Sequence, residues 1–163
     1  MTKDEMKKVV CQAIDEAAEK IHETVLRIES EPELGYKETK TAAKVESYMK
    51  ELGLTPQTGL ALTGVKTCVD GGKKGPAVAV LAELDAVGTP DSPKADPLTG
   101  AAHTCGHFLQ MASMLAACTG IVKSGVMQDL AGSAVFFAVP AEEYVEIDYR
   151  KRLVKEGKIH FLG

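Results

Sequence analysis

The sequence predicts an α/β domain, with a mainly parallel sheet flanked by helices. Two observations carry this reading. Ala77-Val78-Ala79-Val80-Leu81-Ala82-Glu83-Leu84 and Ser133-Ala134-Val135-Phe136-Phe137-Ala138-Val139 are short runs that are apolar on both faces up to their ends. Interior strands of a helix-covered sheet read this way. Around them the apolar residues recur at helical spacing, giving the order strand, loop, helix, strand, helix. A length of 163 residues suits one domain with its own core.

The elements follow in order. Thr2 and Glu5 make a capping-box pattern. Behind it Met6, Val9, Val10, Ala13, Ile14, Ala17, Ala18, Ile21, Val25 and Leu26 mark an amphipathic helix to about residue 29, stopped by Pro32. His22 within it reads as a solvated histidine. Glu33-Leu34-Gly35-Tyr36 is a turn. A second helix covers about 39–52, with Gly53 in the position that ends helices. Two short strands are expected near 58–62 and 64–69, and the Gly71–Pro76 cluster turns the chain. After the first doubly apolar strand, 88–100 is a proline- and glycine-bearing loop of a length that often carries function. A helix is expected over about 106–122, then the second doubly apolar strand, then a charged helix over about 144–156. Ile159-His160-Phe161-Leu162 resembles the start of another strand.

Composition narrows the function. The net charge is −4, with lysines and arginines scattered, so nucleic acid is not an expected partner. No apolar run reaches the roughly 18 residues of a membrane span, so no membrane partner is expected. The charged start does not read as a signal peptide. The four cysteines, Cys11, Cys68, Cys105 and Cys118, match no disulfide scaffold. Free thiols and no signal peptide lead to an expected cytoplasmic location.

The chemistry concentrates in two places. His103-Thr104-Cys105-Gly106-His107 puts a thiol and two imidazoles into five residues before a helix. Gly106 lets the backbone bend so that Cys105 and His107 face one point, and the helix N-terminus favours a thiolate. Pro140-Ala141-Glu142-Glu143 follows the second strand, and Asp85 ends the first. Ligands of α/β sheets bind beyond the carboxyl ends of the strands. If the two strands are parallel neighbours, all three groups share one rim. Thiolate, imidazole and carboxylate suit zinc, with manganese or cobalt less favoured by sulfur. Adjacent glutamates can divide the work, one binding metal and one acting as general base.

Leu84-Asp85-Ala86-Val87, His103-Thr104-Cys105-Gly106-His107 and Pro140-Ala141-Glu142-Glu143, in that order, resemble the successive motifs of the dinuclear-metal aminoacylase and carboxypeptidase family. The branch resembled is that of amidohydrolases acting on N-acyl or aminobenzoyl amino acids and dipeptides, and Glu33-Leu34-Gly35-Tyr36 is similar to its N-terminal motif. The resemblance implies two divalent metal ions, Cys105, His107 and Glu143 as ligands with Cys105 bridging, Glu142 as general base, and Asp85 and His103 as supporting groups. It implies a small amide or dipeptide substrate. Phe108 departs from the family's usual Asp or Asn. The family's later histidine ligands and lid-like dimerisation domain have no counterpart in 1–163, so the chain reads as the N-terminal portion of a catalytic domain. That leads to an expectation of weak metal binding, little turnover, and self-association or docking onto a partner that supplies the rest. His160 is a candidate replacement ligand. Two rivals stand beside this reading: a non-catalytic module completed by a partner, and a cysteine hydrolase with Cys105 as nucleophile and His103 or His107 as base.

Overall fold

The computed structural model describes residues 1–160, and its first helix begins at the expected cap. In α1 (Lys3–Glu29) the Glu5 N–H donates to Thr2 Oγ1 and the Thr2 N–H donates to the Glu5 carboxylate. Ala13, Ala17, Ile21, Val25 and Ile28 form its buried stripe, and His22 is exposed. α2 (Thr39–Glu51) buries Val45, Tyr48 and Met49. Its Tyr48 hydroxyl shares a 2.8 Å hydrogen bond with Thr119, so the one polar atom of that ring is satisfied inside the core.

The main sheet has the order β1-β2-β6-β3, from β1 (Gln57–Leu60), β2 (Gly64–Asp70), β3 (Lys73–Glu83) and β6 (Ala131–Val139). β4 (Val87–Gly88) and β5 (Ala101–Ala102) form a separate two-stranded ribbon that closes the 88–100 loop. The α/β class holds. The sheet is mixed, however: only β3 and β6 run parallel, while β1–β2 and β2–β6 are antiparallel. The cause is connection length. β2 passes into β3 through Gly71-Gly72, so those two strands must run oppositely. α3 (His107–Ser124) provides the long crossover that brings β6 back parallel to β3. β6 then lies between them and is antiparallel to β2.

The strands are not buried on both sides as their composition suggests. Val65, Ala82, Phe136 and Ala138 face one side and pack with Ile28, Met49, Met111 and Leu115 in a single core. The opposite side carries Lys66, Cys68, Phe137 and Leu81 in register, without helical cover among the described residues. β3 is one of the two edge strands, and its Val78 and Leu81 are 64% and 59% exposed. Periodicity reports what a strand can bury; only the neighbouring elements decide which face is buried.

α1 and α3 pack closely because Gly120 has no side chain. A Cβ there would stand 2.9 Å from both Val10 Cγ1 and Ile14 Cγ1. A 3-10 turn (Val126–Asp129) links α3 to β6, and α4 (Ile147–Lys155) follows the loop after β6. The helix expected from residue 144 therefore starts at Ile147. The strand start expected near Ile159 lies mostly outside the described residues, and His160 is exposed and belongs to neither ligand group formed among the described residues. No helix among the described residues is long and apolar enough to cross a membrane.

Candidate metal centre

β3, α3 and the loop after β6 bring their chemistry together at the carboxyl ends of the two parallel strands. Glu83 pairs in register with Val139, so Asp85 and the 140–143 loop leave the sheet side by side. α3 starts at the same rim. Its N-cap is Gly106 at φ +89°, a conformation that side-chain-bearing residues resist. A Cβ at Gly106 would meet nothing within 4 Å. Gly106→Ala should therefore cost about 1–2 kcal/mol through the backbone alone. A lower urea midpoint at unchanged slope is the expected reading.

One atom each from Cys105, His107 and Glu143 lie within 4.8 Å of one another, and so do atoms of Glu83, His107 and Glu142. His107 is common to both groups and is buried. Its Nδ1 lies 2.8 Å from the Asp85 carbonyl oxygen and 3.3 Å from Asp85 Oδ1. The carbonyl oxygen can only accept, which assigns a proton to Nδ1, and the carboxylate oxygen stands close by on the same side without bonding to it. The other nitrogen, Nε2, faces Glu83 at 2.8 Å, Glu143 at 3.8 Å and Glu142 at 3.9 Å. In the neutral imidazole, Nε2 presents a lone pair to three carboxylates. That arrangement needs a cation between them, either a proton or a metal ion. The donor set of thiol, imidazole and carboxylate therefore fits a divalent metal such as zinc.

Asp85 is fully buried. Its Oδ2 accepts the Glu143 N–H at 3.0 Å while its carbonyl holds His107, so one residue fixes both halves of the cluster. Cys105 does not behave as the helix-dipole argument expects. Burial raises its thiol pKa, with Glu143 and Asp85 adding to the rise, and together they outweigh the lowering hydrogen bond from the His107 N–H. Without a cation the sulfur stays protonated; a bound metal ion would reverse that balance. His103 is buried beside Phe108, ring centroids 5.9 Å apart, and neither ring nitrogen has a hydrogen-bond partner among the described residues. Burial, aided by His107, pushes its pKa down to about 4 against the opposing pull of Asp85 and Glu29. Its nitrogens are not part of the ligand groups.

Two further residues hold the glutamate loop, and the sequence did not single them out. Glu38 is fully buried and accepts from the Ala141 N–H at 2.8 Å and from Thr63 Oγ1 at 2.7 Å. Arg150, also buried, donates from Nε to the Val145 carbonyl at 2.8 Å and from its terminal nitrogen to the carbonyls of Ala141, at 2.7 Å, and of Glu143. These bonds hold Ala141 at φ +53°, a strained value for a residue with a side chain. The two glutamates themselves remain available, with side chains 50% and 34% exposed.

An α/β framework with cysteine, histidine and glutamates gathered beyond its parallel strands has the features of the N-terminal part of the dinuclear-metal aminoacylase and carboxypeptidase family, which this chain resembles over most of its length. The similarity extends to particular proteins. A Bacillus subtilis protein named as an amidohydrolase, YhaA, is 32% identical over 142 residues, covering 85% of this chain and 35% of its own. Thermostable carboxypeptidase 2 of Saccharolobus solfataricus is 30% identical, covering 80% of this chain and 34% of its own. A Bacillus subtilis dinuclear metal binding peptidase of the M20 family superposes with a TM-score of 0.66 at 25% identity, over 85% of this chain and 39% of that one. No protein-family model matches the chain. It spans about a third of the length of the relatives it matches.

Proposed function

We propose that this chain carries the N-terminal share of the catalytic centre of a metal-dependent amidohydrolase. Cys105, His107 and Glu143 are its ligands for divalent metal, zinc or manganese with cobalt as an alternative. Two ions are expected once further ligands join. The substrate is an N-acyl amino acid or a dipeptide-like amide. The convergence of Glu143 with Cys105 and His107, from two separate segments, to within 4.8 Å carries this reading.

When bound, the metal would polarise the scissile carbonyl and acidify a water. Glu142, half exposed beside His107, takes the proton from the attacking water and returns it to the leaving amine. Asp85 keeps His107 in the tautomer that offers Nε2 and holds the Glu143 backbone. His103, uncharged at neutral pH, packs behind the cysteine segment.

Assays on N-acyl amino acids and dipeptides, with manganese or zinc supplied, test this. The expected result is slow hydrolysis that chelation abolishes and that Glu142→Gln lowers by roughly 100-fold or more without changing metal content. Activity that survives chelation but not thiol alkylation would establish the cysteine-hydrolase rival. A second reading, a module completed by a partner, is favoured by the uncovered sheet face. Metal-loaded protein without hydrolysis would select it.

A further inference from the structure

Within the reading of this centre as a metal site, we infer that Glu83 is a ligand of the ion held by His107. The sequence shows Glu83 only as the last residue of an apolar strand. The structure sets its Oε2 2.8 Å from His107 Nε2, nearer than Glu142 or Glu143. A tetrahedral ion bound to both atoms at about 2.0–2.1 Å would hold them about 3.3 Å apart, so a shift of about half an ångström by the Glu83 side chain admits it. The proton on Nδ1 faces the Asp85 carbonyl, so Nε2 cannot donate to Glu83 while the imidazole is neutral. A cation between them resolves the conflict.

Two other features support the role. Gln110, one turn further along α3, donates to Glu83 Oε2 at 2.7 Å and holds the carboxylate against the helix N-terminus. Oriented ligands of this kind are common around metal sites. Asp85 Oδ1 is fully buried, has no hydrogen-bond partner, and lies on the Nδ1 side of the ring. The Asp85 carbonyl thus keeps the Nδ1 proton in place, with the unbonded carboxylate beside it, and leaves Nε2 for the ion. Glu83 supplies a carboxylate from β3, where Cys105 comes from the α3 N-terminus and Glu143 from the loop after β6. All three parts of the rim then contribute to one centre.

The test is cobalt titration of the purified protein, followed in the visible and near-ultraviolet. Wild type is compared with Glu83→Gln, Glu83→Asp and Cys105→Ala, with far-ultraviolet circular dichroism as the fold control. Glu83→Gln should weaken cobalt binding at least about tenfold and change the visible ligand-field band. The near-ultraviolet band from the Cys105 thiolate should persist. Glu83→Asp, which keeps the charge on a shorter arm, should bind more tightly than Glu83→Gln. A folded Glu83→Gln protein with wild-type affinity and an unchanged visible band overturns the inference and leaves the metal reading standing, provided Cys105→Ala loses cobalt. If Glu83→Gln fails to fold, Glu83→Asp decides alone: an unaltered band and affinity in it overturn the inference. Wild-type protein that takes up no cobalt overturns both.

Discussion

Replacing Cys105 or Glu143 with alanine should strip the protein of bound metal. Elemental analysis of protein purified without chelator should find at most about a tenth of the wild-type content in either variant. Residues that only orient ligands cost 10–100-fold in affinity when removed, and a ligand must cost at least as much. Cys105 and Glu143 come from segments joined only through the fold, so loss in both variants would prove one shared centre. Glu143→Ala also removes a carboxylate that raises the Cys105 thiol pKa. The Cys105 thiol should therefore alkylate faster in that variant than in metal-free wild type. Retention of metal in Cys105→Ala would move the centre to Glu83, His107 and Glu142.

The second large effect concerns Glu38. Glu38→Ala leaves the buried Ala141 N–H and the Thr63 hydroxyl without their acceptor. Each such group costs about 1–3 kcal/mol, so the variant should lose roughly 2–4 kcal/mol, reduced somewhat because a buried carboxylate is also removed. Glu38→Gln should behave differently. Its amide oxygen can accept from Ala141 while its NH2 donates to Thr63. Burial raises the Glu38 pKa above its ordinary 4.5, against the lowering bonds from Thr63 and Ala141. Below 4.5 the carboxyl is protonated in both folded and unfolded chains, and its stabilising contribution is full. As pH rises, the unfolded chain ionises first, and the contribution is lost through the raised folded value. Glu38→Gln should therefore gain on wild type steadily from pH 4.5 upward. Urea melts of the two proteins across that range check the sign. A constant difference would mean that Glu38 is ionised in the fold at no cost.

Which parts of this structure were legible beforehand follows from what each residue signals on its own. Cys105, His107, Glu142 and Glu143 stood out because their residue types and spacing suit metal chemistry. The structure brings three of the four to one point and the fourth beside it. Asp85 was placed by its position after a strand. Glu38 and Arg150 were not legible, because a charged residue within a charged stretch reads as solvated, and only the returning chain buries it. Glu83 carried a weak sign, a single carboxylate closing an apolar strand beside Asp85. The mixed sheet was hidden for another reason. Apolar content describes both faces of β3 and β6, whereas strand direction depends on connection lengths and on β6 inserting between β2 and β3.

The clamp on the glutamate loop also has a kinetic consequence. Ala141 and Glu38 are 103 positions apart in the chain, and Glu143 bonds to Asp85 58 positions away. Closing such long spans is entropically costly and belongs late in folding, after local helices such as α1 have formed. Thr2-capped α1 can gain its hydrogen bonds in microseconds, but the loop that presents Glu142 and Glu143 has no defined shape until β6 docks. On refolding, recovery of the cobalt signal should lag recovery of helical ellipticity. The ion then reports the last step of assembly.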